Sequence, residues 1–157
     1  MLSFEMREER GFPLLFQTYL QTVKNSVSSH QFRNLYMEQG GRSVDVLEDG
    51  NLSCAYYVSS LLMPLGLIQR PHTWVKNTVH DLRSSGWEAT KVLEPGCILV
   101  WAAKVGESGR SHKHIGFYIG GGRAISNDDR LRSPQEHDAD MGGRHIDLIL
   151  DHYALER

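Results

Sequence analysis

Most features that would assign this chain to a function class at a glance are missing from it. Cysteine is scarce: Cys54 and Cys97 are the only two in 157 residues. They allow at most one internal disulfide, which excludes a disulfide-stapled secreted scaffold. Net charge is nearly absent, with 17 Lys and Arg against 19 Asp and Glu, so the formal charge is −2. No basic field exists to hold nucleic acid or an acidic membrane surface. Long apolar runs are lacking too. The stretch Val58 to Ile68 is broken by Ser59, Ser60 and Gly66 and is too short to span a bilayer. No charged-then-apolar segment with a small-residue cleavage site occurs near Met1 to Gly11, so no signal peptide is expected. Neither a His-Glu-x-x-His helix nor a Cys-x-x-Cys pair is present.

What remains is an ordinary globular composition, 40% hydrophobic and 23% charged, in a chain long enough to bury its own core. There are no internal repeats, low-complexity segments or domain linkers, and residues 1–157 read as one domain. The first half is patterned for helices. Leu15, Phe16, Tyr19, Leu20, Val23 and Val27 recur at helical spacing after Pro13. Phe32, Leu35 and Tyr36 suggest a second helical piece stopped at Gly40-Gly41. Ala55, Val58, Leu61, Leu62 and Leu65 mark a third helical face after the turn Asp49-Gly50-Asn51, and Val75, Val79 and Leu82 a fourth.

After Pro95-Gly96 the period changes. Ile98 to Trp101 is a short buried-type run, followed by a polar loop from Gly106 to Ser111. His112 to Ile119 and Arg123 to Asn127 read as strands joined by Gly120-Gly121-Gly122. A polar loop is expected from Asp128 to Arg144 before a last strand, Ile146 to Leu150. Helices first and a meander of antiparallel strands afterwards predict an α+β fold.

Two residues stand out chemically. Cys54 follows Asn51-Leu52-Ser53, a capping segment, and opens an amphipathic helix. In a first turn, unpaired N–H groups and the helix dipole favour a thiolate, and the same groups can hold an oxyanion. A cysteine on an apolar helix is more often core than nucleophile, but this position reverses the expectation. Cys97, at a strand entry, reads as structural. A Cys54–Cys97 bridge is not expected, because a nucleophile must stay a free thiol. His114 opens the strand His114-Ile115-Gly116-Phe117-Tyr118-Ile119-Gly120. Alternation puts Ile115, Phe117 and Ile119 on one face and His112, His114, Gly116 and Tyr118 on the other. Gly116 leaves space on the His114 side for substrate or the cysteine helix. An imidazole there serves a thiol as general base, with His112 as the rival.

The block Pro95-Gly96-Cys97-Ile98-Leu99-Val100-Trp101, followed by His114-Ile115-Gly116-Phe117-Tyr118-Ile119-Gly120-Gly121-Gly122-Arg123-Ala124-Ile125, resembles the NlpC family of papain-like cysteine peptidases and amidases. The related cysteine- and histidine-dependent amidohydrolase (CHAP) group is similar. The resemblance runs from about Asn51 to Asp128. It implies N-terminal helices packed on a small antiparallel sheet, with the nucleophile at the start of a central helix. It further implies a thiol-dependent hydrolase that cuts amide bonds in peptidoglycan-type cell-wall peptides without a cofactor or metal, in the cell envelope or outside the cell.

On that pattern Cys54 matches the nucleophile and His114 the base. Three positions depart from it. Ser53 stands where Asp is frequent, and Cys97 where Pro-Gly-Asp has its acid. The third polar residue, commonly His on the next strand, falls on Ser126. That residue must hold the imidazole in one tautomer. Asn127 is the favoured candidate, on the expectation that the strand breaks up at Asp128-Asp129, with Ser126 and Asp128 as alternatives. Trp101, Tyr57, Tyr118 and the loop Ala103 to Lys113 are candidates to line a cleft, and Tyr36 to contact an oxyanion. Two other readings stand beside the enzyme: a catalytically silent peptide-binding domain, and a metal hydrolase built on His112, His114, His137, Asp138, Asp140, His145 and Asp147.

Overall fold

The computed structural model describes residues 12–106 and 109–157. The expected absence of a signal peptide at residues 1–11, and residues 107–108 of the expected polar loop, lie outside them. The chain begins with helix α1 (Leu15–Asn25), followed by a hairpin of β1 (Tyr36–Gln39) and β2 (Arg42–Asp45). Helix α2 (Cys54–Leu62), a 3-10 turn (Met63–Leu65) and helix α3 (Val75–Ser84) come next. The strands β3 (Trp87–Ala89), β4 (Ile98–Val105), β5 (Ser111–Gly120), β6 (Arg123–Asp128), β7 (Ser133–Asp138) and β8 (Ile146–His152) complete the fold. The last six form one antiparallel sheet in the order β3-β8-β4-β5-β6-β7. The architecture is α+β, and none of the described helices is long and apolar enough to cross a membrane.

Strand alternation buries both faces of this sheet. Ile98, Val100, Ile115, Phe117, Ile125 and Leu150 pack with Tyr19, Val23, Tyr57, Val58 and Leu82 of the three helices. Cys97, Leu99, Trp101, Tyr118 and Ala124 point the other way, into a smaller cluster that Ala139 and Met141 cover. Ordinary period-two geometry thus separates Ile115 and Phe117 from Tyr118 as the sequence pattern predicts. Helix α2 packs on β5 and β6 and touches α1 and α3, with Ala55, Tyr57, Val58, Leu61 and Leu62 all buried.

Two expectations are corrected. Phe32, Leu35 and Tyr36 do not continue a helix: residues 36–45 form the separate β1–β2 hairpin. Gly40 and Gly41 take φ of 59° and 78°, the left-handed pair that a two-residue hairpin turn requires. The stretch expected as a loop from Asp128 to Arg144 contains strand β7, paired with β6 from Asp128↔Ser133 to Arg123↔Asp138. Strand β7, Ser133-Pro134-Gln135-Glu136-His137-Asp138, has no apolar run to announce it, as suits the sheet's edge.

Candidate active site

The N-terminus of α2 is bare. Tyr57 N–H to Ser53 C=O (2.8 Å) is the helix's opening bond, but the Ser53 side chain makes no capping bond. Its hydroxyl is fully buried without a protein partner. First-turn N–H groups are therefore left to the thiol of Cys54, whose sulfur is favoured as thiolate by its own N–H and that of Ala55. A further donor comes from across the sheet. The β5–β6 ladder stops at Gly116↔Ser126, and the Ile115 N–H beyond it bonds the Cys54 sulfur. Cys54 thus sits against the residue that follows His114.

His114 is held by neighbours on its own face. Its ring lies 5.6 Å from that of Trp101, centroid to centroid, and its Nε2 is 2.8 Å from Ser126 Oγ. That approach depends on Gly116. A Cβ at this position would sit 2.6 Å from Ser126 Cβ, 2.7 Å from Ile125 O and 3.2 Å from Trp101. The space left by Gly116 is filled by Ser126, not by substrate or the cysteine helix as expected.

Ser126 in turn lies 2.7 Å from His137 Nε2, and His137 Nδ1 lies 2.8 Å from the Asp138 carbonyl oxygen. The polarity of this chain follows from its far end. A carbonyl accepts only, so His137 carries its proton on Nδ1 and presents a lone pair at Nε2. Burial lowers the His137 pKa and keeps the ring neutral. Ser126 therefore donates to His137 and accepts from His114 Nε2–H. His114 is left with a bare lone pair on Nδ1, the atom a base needs.

Asn127 does not join this chain. Because β6 stays paired through Asp128, alternation turns Asn127 to the opposite face, where its Nδ2 donates to Gly50 C=O at 2.8 Å. Asp128 is equally occupied, its Oδ1 accepting the Arg130 and Leu131 N–H groups. Of the three candidates for the third position, only Ser126 reaches the imidazole, and His137 stands behind it. The expected cleft aromatics are core: Trp101 and Tyr57 are fully buried and Tyr118 almost so, while Tyr36 is exposed on the outlying hairpin. Cys54 and Cys97 are both free thiols. Among the described residues no three His, Cys, Asp or Glu side chains converge as metal ligands.

Cys54, His114, Ser126 and His137 line one cleft of about 1710 Å³, and Arg144 shares it. Arg144 had no signal in the sequence. It arrives through the tight turn Asp140–Gly143 and donates from Nε to Ala102 C=O (2.7 Å) and from Nη2 to His112 C=O (2.9 Å). Electrostatics modify the expectation for the thiol. Burial pushes the Cys54 pKa up to about 11 against the Ile115 and Ala55 N–H groups and the Arg144 charge, which lower it. Burial, then Arg144 and His137, bring His114 down to about 3. At rest both groups are neutral, so the first turn of α2 does not by itself produce the thiolate expected there. Cys54 and His114 line the same cleft, and Ser126 fixes Nε2 of the ring. No family model matches the chain, and no curated protein matches it.

Proposed function

We propose that the chain is a thiol-dependent amidase or peptidase of the papain-like, NlpC-type plan. Its substrates are amide bonds in peptides, of the peptidoglycan type that the resemblance implies. The observation that carries this reading is the polarity of the His137–Ser126–His114 chain, which leaves His114 Nδ1 as an unpaired acceptor in the cleft that Cys54 also lines. Cys54 gives its proton to His114 Nδ1 as the sulfur attacks the scissile carbonyl carbon. His114 returns that proton to the departing amine nitrogen, leaving a thioester on Cys54. Water then gives a proton to the same imidazole, its oxygen displaces the thiolate, and acid and free thiol result. The Ile115 and first-turn N–H groups support the sulfur, and Ser126 and His137 act as positioning residues on the imidazole.

The test is release of new amino groups and carboxylates from peptidoglycan peptides, read by mass spectrometry. Cys54→Ala and His114→Ala are expected to release none while keeping the circular dichroism of the parent. Undiminished release by Cys54→Ala removes the proposal. The neutral resting state of the pair favours a second reading, a silent domain that binds such peptides and leaves them uncut. Peptides that bind the parent protein but stay intact after long incubation would establish it.

A further inference from the structure

Arg144 presents a built recognition group. Its guanidinium has five N–H donors. Two are spent on the carbonyls of Ala102 and His112, through Nε and one proton of Nη2, and these fix the plane of the fork. Both protons of Nη1 and the second of Nη2 have no partner among the described residues. Two cations that share the cleft wall differ: Arg110 pairs with Glu48 at 2.6 Å and Lys113 with Asp147 at 2.9 Å. Asp129 and Asp147 act on Arg144 through longer-range charge alone. The backbone that carries it is equally fixed. Arg144 N–H bonds Asp140 C=O at 2.7 Å, Met141 holds φ at 48°, and Trp101 Nε1–H pins Ala139 at 2.8 Å. Arg144 lines the cleft, and its open outer edge can take a charge-assisted contact from a ligand there.

We infer that Arg144 anchors a carboxylate that the substrate carries beside its scissile amide. This rests on the reading of Cys54 as nucleophile. The open edge offers parallel N–H donors at the spacing of two carboxylate oxygens, and the guanidinium lies close enough for its charge to act on both Cys54 and His114. Substrates are thereby restricted to peptides with a free carboxylate next to the bond cut, and their amidated counterparts are rejected. Arg144 is a specificity residue, whereas His114, Ser126 and His137 serve the chemistry.

Two alkylating agents that differ by this one group provide the test. Iodoacetate carries a carboxylate and iodoacetamide does not, and both consume the same thiolate. Any effect of Arg144 on thiol ionisation therefore cancels in the ratio of their rates at Cys54. That ratio is expected to fall by about tenfold in Arg144→Gln, the loss of one charge-assisted contact, and by less in Arg144→Lys. An unchanged ratio in both variants overturns the inference. The parent protein gives a second measurement that needs neither a variant nor Cys54. The Arg144 Nε–H resonance should move on titration with N-acetylglycine and stay put with N-acetylglycinamide. Equal responses overturn the inference, as does a larger response to inorganic phosphate. A Cys54 inert to both reagents would remove the nucleophile reading instead, and the titration would still decide the role of Arg144.

Discussion

Gly116→Ala adds one methyl group at the place where the candidate site is most tightly packed. Gly116 has an ordinary negative φ, so backbone strain does not enter and the whole effect is steric. The new Cβ would stand 2.6 Å from Ser126 Cβ and 2.7 Å from Ile125 O, whereas ordinary contact begins near 3.4 Å. One obstacle is backbone of the neighbouring strand, so no rotamer change relieves it. Strand β6 must retreat by about 0.8 Å, and if Ser126 travels with it the 2.8 Å bond to His114 opens to about 3.6 Å, outside hydrogen-bonding range.

Two magnitudes follow. Overpacking of this kind costs about 1–3 kcal/mol of stability. Under the proposed mechanism, misplacing the imidazole costs on the order of 100-fold in rate. Urea denaturation measures the first and peptide release the second. Nitrogen NMR of the His114 ring provides a third reading, because loss of the Ser126 acceptor frees the ring to exchange tautomers. A variant as stable as the parent, with unchanged ring shifts, would refute the reasoning, since β6 would then have absorbed the methyl without moving.

Ser126→Ala removes the bridge at little steric cost. Loss of the fixed His114 tautomer, read by ring nitrogen shifts, and a fall in amide cleavage are expected, and an unaltered tautomer would show that Ser126 does not hold the ring. Asn127→Ala should do the reverse. It leaves the buried Gly50 carbonyl without its 2.8 Å donor and costs about 1–2 kcal/mol in denaturant titration, while the ratio of activity to folded protein stays that of the parent. A selective loss of activity would return Asn127 to the site. Acid should destabilise the fold through His114. Its folded pKa is about 3 against an ordinary value near 6.5, so between those values the unfolded chain binds more protons. Stability is full above pH of about 6.5 and is lost as pH falls through the window towards 3. Buried His137 adds to the loss with the same sign. Thermal melts should show a shallower acid slope in His114→Gln, and an identical slope would contradict the burial argument.

The places of Cys54 and His114 were legible because Cys54 opens helix α2 and His114 lies within the strongly periodic strand β5, so both follow from one-dimensional patterns. The residues around them were not, for separable reasons. Ser126 and Asn127 are adjacent, and which one meets His114 depends on whether β6 is still paired there. Asp128-Asp129 looks like a strand end, but the β7 partner keeps the ladder intact as far as Asp128↔Ser133. That partner is an edge strand with Pro134 as its one apolar residue, so the same blind spot hid both the correct face of β6 and the place of His137. Trp101 and Tyr118 illustrate a different limit. Aromatics on the His114 face could line a cleft or fill a second core, and the choice is made by Ala139 and Met141, which close over that face from a turn far along the chain. Arg144 had no signal at all, since its placement depends on that turn and on two backbone carbonyls.

The division of labour between Arg144 and the relay follows from charge. A guanidinium favours the Cys54 thiolate but opposes a His114 imidazolium, lowering both pKa values. In the proposed mechanism proton transfer from sulfur to Nδ1 depends on the difference between those values, so the two effects of Arg144 on it oppose each other. A carboxylate that neutralised the guanidinium would act on both values with the opposite sign. Other groups act on one partner of that step alone. Ile115 N–H and the bare first turn of α2 act on the sulfur alone, and Ser126 keeps its bond to Nε2–H in both charge states of the ring. In the proposed mechanism neither must reorganise when the charges separate. The buried, uncapped Ser53 at the helix start fits the same logic. A side chain that capped α2 would stabilise the helix by about 1 kcal/mol, but it would take up the N–H groups on which the thiolate depends.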